Sequence, residues 1–244
     1  MGVKPTLIQR SFTGLFISIS MVLIILGSAC GDDASGQVSG KPKSTPWGGL
    51  YQGGDCPGCD LTDTNLAGAD LAGANLTKAD LTRANLTNAN LANANLTAYM
   101  TGANLTGANL RDAHVASAIL TDADLVDANI IGANLTAAKL SGAHLTGAIL
   151  RDASLSGADL SGANMTNASI VHGKMIDAIL TAANLSGADL TGVDLSRADL
   201  TDANLSGANL CGATNVILSS SGWQSVPVRL SEQQKKAIVP CPGQ

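Results

Sequence analysis

Cys56-Pro57-Gly58-Cys59 has the spacing at which two thiolates share a metal ion or exchange a disulfide. Cys211 and Cys241 stand far down the chain, and Cys30 lies near its start. His114, His144 and His172 are the only histidines, and Asp122, Asp124 and Asp127 are close enough together to suggest a cation site. Spacing alone does not decide whether any of these groups meet. The elements that carry them do.

Those elements are periodic. Leucines stand at 61, 66, 71 and every fifth position to 96; after one four-residue step, Leu96-Thr97-Ala98-Tyr99-Met100, the series continues every fifth residue to 210. In the second run only Met, Val or Ile replaces Leu, as at Met100, Val115, Ile130, Met165, Ile170 and Met175. Ala sits two residues before each of the 31 centres, with exceptions at Cys59, Thr64, Gly173 and Val193. Asn or Asp usually comes just before the centre. Thr or Ser usually follows it, then Gly, Ala, Asn or Asp.

Neither regular element explains period five. A helix would smear the leucines around its axis, and a flat strand would send alternate ones to opposite faces. A turn every five residues solves both problems. Each unit then forms one side of a square coil, with Leu and the preceding Ala inward and the three polar positions outward. Leu61, Leu105, Leu140, Leu160, Leu185 and Leu205 belong to the resulting core ladder. A core of Leu and Ala also suits a chain that is only 2% aromatic.

Units such as Ala69-Asp70-Leu71-Ala72-Gly73 and Ala203-Asn204-Leu205-Ser206-Gly207 resemble the pentapeptide-repeat family. The resemblance implies an all-β fold, a right-handed quadrilateral parallel β-helix with four repeats per coil, over residues 55–213. The centres would fill nearly eight coils, a rod on the order of 37 Å long at about 4.8 Å per stacked strand. A corner distortion is expected at the short step. Open coil ends invite edge-to-edge pairing, so covers are expected from Trp47, Leu50 and Tyr51 at one end. At the other, within 214–244, Trp223, Val226, Val228 and Leu230 are expected, with a short helix over 231–238.

The register sorts the candidate groups. Extended backward, it puts Cys56 at a centre and Cys59 two before one, so both should face inward as a buried structural pair, a disulfide, and not as reactive thiols. A thiol oxidoreductase would need them to react in the folded state. Cys211 is outward in the last coil, where a bond to Cys241 would clip the tail. His114 and His144 fall on opposite faces and His172 at another position. Asp122, Asp124 and Asp127 spread around a corner. No Ser-His-Asp or Cys-His set survives, so no catalytic residue, metal or cofactor is expected, and the chain reads as no enzyme. Outward apolar residues are scattered, and only Tyr99 and Ile119 should stack directly.

Between Asp60 and Ala213 fifteen Asp face seven Lys and Arg, a net of −8, and the acids read as dispersed over all sides. Some family members are thought to mimic DNA toward type II topoisomerases. A modulator of DNA gyrase is therefore the alternative reading, with no nucleic acid itself bound.

Residues 1–29 read as an export signal. Lys4 and Arg10 precede an uncharged apolar run from Ser11 to Leu26, then Gly27-Ser28-Ala29-Cys30. The segment resembles a bacterial lipoprotein signal, which implies lipid on Cys30, although Gly27 stands where Leu is usual. Gly27 and Ala29 also suit an ordinary signal peptidase cutting at the same bond. Residues 30–54, rich in Gly, Ser, Pro and Lys, have linker composition. Together these features predict an envelope-tethered or secreted scaffold or interaction module, held to the membrane by lipid. Its partner would be another protein or a second copy of itself.

Overall fold

A stacked coil must give every backbone N–H an acceptor. The computed structural model, which describes residues 55–217, 228–237 and 241, shows where each one goes. The leader, Cys30 and the linker lie outside the described residues, as do Trp47, Leu50, Tyr51, Trp223 and Val226.

The unit from Asn184 to Ala188 illustrates the scheme. The Asn184 N–H donates to Ala163 O one level below at 2.9 Å, while Leu185 and Gly187 donate upward to Asn204 O and Ser206 O, each at 2.8 Å. Ala188 N–H closes the turn onto Leu185 O at 3.1 Å. One donor, Ser186 N–H, remains, and it reaches the Asn184 side-chain Oδ1 at 3.2 Å. All five are satisfied. This accounts for Asn or Asp before the centre: its short side-chain oxygen serves the one N–H that no carbonyl reaches.

Repetition of this unit builds four columns of parallel bridges. One side carries Asp60, Asp80, Tyr99, Ile119 and so on to Asp199, and the next runs from Asn65 through His144 to Asn204. The third runs from Asp70 through Ile149 to Asn209, and the fourth from Asn75 through His114 to Thr214. Bridged partners are 20 residues apart on every level except across the short step, where Asp80 meets Tyr99. The fold is a quadrilateral parallel β-helix of eight levels.

Leu61, Leu105, Leu140, Leu160, Leu185 and Leu205 are all buried inside it, and no polar or charged side chain is buried among the described residues. Each such Leu contributes roughly 1.5–3 kcal/mol of burial. Single levels cannot hide their leucines alone, so stability accrues between neighbouring levels.

The third residue of each turn has φ between about 55° and 70°. Sequence reading placed this position outward but did not anticipate its left-handed backbone. That conformation favours Gly, and Asn or Asp next, yet Ala137 and Ala182 also adopt it. At the short step this residue is missing: Ala98 takes the buried inner position, a bend replaces the turn, and the ladder continues through Tyr99 to Ile119. The distortion is therefore local. Gly173 replaces an inner Ala where an added Cβ would lie 2.9 Å from both Cγ2 and O of Ile170.

The far end is closed by chain that leaves the repeat. Strand β1 (Val216–Ile217) pairs in parallel with β2 (Val228–Arg229), Val216 opposite Val228. Leu230 then turns inward and is buried, and helix α1 follows as Glu232–Ala237. Ser231 and Gln234 cap it reciprocally: Gln234 N–H donates to Ser231 Oγ at 3.1 Å and Ser231 N–H to Gln234 Oε1 at 2.8 Å. The helix falls within the expected 231–238, of which Ile238 is outside the described residues.

Candidate interaction surface

The four cysteines among the described residues are consumed by structure. Cys56 and Cys59 form a disulfide with Cα atoms 5.4 Å apart, Cys56 fully buried and Cys59 half-buried against the core. A second disulfide joins Cys211, on the last level, to Cys241, also across 5.4 Å, and fixes the tail to the rod. Closing so long a segment restricts the unfolded chain and is worth roughly 3.5 kcal/mol in the chain-entropy picture.

The histidines stay apart. His114 bridges Asn95 and Asn134, while His144 bridges Asp124 and Asn164 on the opposite side. His172 occupies a left-handed turn position, its ring over Gly192 where a Cβ would not fit. Asp122 and Asp127 are successive left-handed turn residues at two corners, with Asp124 on the flat side between them. Among the described residues no group of three His, Cys, Asp or Glu is placed to hold a metal ion.

What the outer surface offers is columns of side chains. Consensus amides link successive levels, as where Asn204 Nδ2 donates to Asn184 Oδ1 at 3.0 Å and Asn129 Nδ2 to Asn109 Oδ1 at 3.2 Å. At the corners Arg83 clamps Asp63 with two bonds of 2.7 Å, and Arg197 clamps Asp177 in the same way. Both clamps are well exposed, so water screens them and each contributes little.

The acids are spread over the sides as expected, but unevenly. Acids do occur on all four sides, but the Tyr99 side with its corner carries seven of the fifteen aspartates and only Arg83 and Lys139 as basic residues. The His114 side is slightly basic, with Lys78, Lys174 and Arg197 against Asp177 and Asp194. The formal count per side was obscured because residues on one side are 20 apart in the chain, so neighbours in sequence are strangers in space.

Apolar exposure is also uneven. Tyr99, Ile149 and Ile179 are the most exposed large apolar residues described. Tyr99 bridges half-buried Ile119 directly, with Lys139 on the next level and Ile179 two levels beyond that. Ile149 lies on the opposite side.

These features can be set beside known proteins. A family model for pentapeptide repeats, in eight copies, matches residues 59–97, 98–136, 128–167 and 178–214, more than half of the chain. The chain belongs to the pentapeptide-repeat family. Among solved structures, this pentapeptide-repeat protein is similar to HetL from the cyanobacterium Nostoc sp. strain PCC 7120, involved in regulation of heterocyst differentiation. The two are 34% identical over 65% of this chain and 75% of HetL, with a TM-score of 0.60.

It is also similar to a trypsin-treated form of QnrB1, a plasmid-mediated fluoroquinolone resistance protein. That match is 17% identical over 65% of this chain and 82% of QnrB1, again with a TM-score of 0.60. At such identity the likeness is one of fold. No curated protein sequence matches the chain. Pentapeptide-repeat proteins are typically structural or interaction modules, not enzymes.

Proposed function

We propose that this pentapeptide-repeat protein is a lipid-anchored rod of the bacterial envelope, presenting its outer columns to a protein partner outside the cytoplasm. The observation that carries the reading is the fate of its five cysteines. Four are paired as Cys56–Cys59 and Cys211–Cys241, and the fifth, Cys30, follows the signal-like segment. Disulfides belong to oxidising compartments, and a lipid-modified Cys30 would leave no free thiol. Two or three acyl chains anchor a protein stably where one does not. The linker to residue 54 would then hold the rod away from the bilayer.

Growth with labelled fatty acid, followed by fractionation, tests this directly. Label in the membrane fraction that disappears in Cys30→Ala supports the reading. Unlabelled protein in the cytoplasm overturns it.

A second reading, an acidic rod that occupies the DNA site of gyrase, draws on the excess of aspartate along the Tyr99 side. It requires the protein to remain in the cytoplasm, where both disulfides would meet reducing conditions. Inhibition of supercoiling by the purified protein would favour it.

A further inference from the structure

The position before each centre is where Asn or Asp accepts the N–H two residues on. A large apolar residue there gives up that bond and exposes hydrocarbon. Tyr99 and Ile119 both do so on consecutive levels of one side. Ile119 has no oxygen to offer Thr121 N–H, and the hydroxyl of Tyr99 is at the far end of its ring. Tyr99 is 49% exposed, and Ile179, further along the same column, 42%.

The surroundings state the kind of partner. Asp80 lies on the level below Tyr99, and Asp159 and Asp199 flank Ile179. Hydroxyls stand beside two of these carboxylates. Ser161 Oγ donates to Asp159 Oδ1 at 2.6 Å, and Thr201 Oγ1 to Asp199 Oδ1 at 2.6 Å. Along the column the order is Asp80, Tyr99, Ile119, Lys139, Asp159, Ile179 and Asp199, so two apolar patches are set in a side where seven aspartates face only Arg83 and Lys139. Such a surface complements a chain that has apolar side chains between positive ones.

We infer that the Tyr99 side is a docking surface for a cationic, amphipathic segment of another protein, its apolar side chains seated on Tyr99, Ile119 and Ile179. This names the partner chemistry for the interaction module and stands apart from the lipid anchor, whose failure would leave it untouched.

The test uses the purified full chain and a fluorescent synthetic peptide of Lys and Leu, with a Glu/Leu peptide of equal length as the charge control. In the double variant Tyr99→Asn, Ile119→Asn both positions take the residue the repeat favours, so folding should persist and the melting temperature hold or rise. Lys/Leu binding should fall at least tenfold in that variant and stay unchanged in Ile149→Asn, on the opposite side. Failure of wild type to bind the Lys/Leu peptide, equal binding of the Glu/Leu peptide, or equal loss in Ile149→Asn overturns the inference. A marked drop in melting temperature of the double variant does so too, since it would make these residues structural.

Discussion

Gln234 donates its side-chain Nε2 to the carbonyl of Ala203 at 3.0 Å. On the levels below, the matching carbonyls take a backbone N–H from the next level, as Ala183 O does from Asn204 and Ala163 O from Asn184. A side-chain amide thus imitates the strand that is no longer there. The same nitrogen also donates to Leu200 O at 3.0 Å, so one glutamine occupies acceptors at the rim of the last level. Those two acceptors are thereby closed to pairing with another chain.

Removing that imitation should loosen the end and leave the middle alone. Gln234→Ala loses three hydrogen bonds, the two to the rim and the one that Ser231 N–H donates to Oε1, about 1.5–4.5 kcal/mol together, but stability in a stacked rod is local to neighbours. Hydrogen exchange is expected to accelerate for amides of residues 200–210 and to stay unchanged around Leu140. Uniform acceleration along the rod would show that the levels unfold as one unit.

Asn184 carries three bonds: it accepts from Ser186 N–H and Asn204 Nδ2, and donates to Thr166 Oγ1 at 3.0 Å. Being partly exposed, it recovers water contacts when they are lost. Asn184→Ala should therefore cost about 1–2 kcal/mol in urea unfolding. A cost near zero would mean that water serves Ser186 N–H as well as the side chain does.

The left-handed turn positions make a prediction of opposite sign. Ala182 holds φ at 57°, a conformation costing an L-residue roughly 1–2 kcal/mol that glycine does not incur. Set against the extra freedom glycine has when unfolded, Ala182→Gly should stabilise by about 0.5–1 kcal/mol. Gly157, with φ 66° and nothing within 4 Å of an added Cβ, isolates the backbone term. There Gly157→Ala should lose about 1 kcal/mol.

How legible was this in the sequence? The ladder was, because from Leu61 to Leu210 the large apolar centres keep a period of five with a single four-residue step, and only Met, Val or Ile replaces Leu. Counting by fours also placed His114 opposite His144 and Tyr99 on Ile119. The turn conformation was not drawn from the glycines, since Asp, Asn, Lys, Arg and even Ala share their position. Its signal was the frequency of Gly, Asn and Asp two residues after the centre, the types that tolerate positive φ. The Asn184 type of self-bond required coordinates, and so did Gln234, which stands outside the repeat where no period guides the eye.

Acid should weaken the rod. The Ser196 hydroxyl, above all, holds the Asp194 carboxyl below its ordinary value, Thr201 does so for Asp199, and the Arg197 guanidinium does so for Asp177. Each group binds its proton less readily folded than unfolded. The stabilisation is therefore complete above the ordinary value of 3.8 and lost as pH falls through the lower folded values. Melting temperatures should be flat near neutrality and decline below about pH 4. A rise on acidification would contradict these contacts.

The intact mass of protein extracted from membranes and alkylated without reduction weighs all five cysteines at once. A chain that starts at a lipid-bearing Cys30 and takes up no alkyl group is the predicted result. A chain that retains Met1 and carries alkyl groups on Cys30 and on the four repeat and tail cysteines would contradict both the anchor and the compartment.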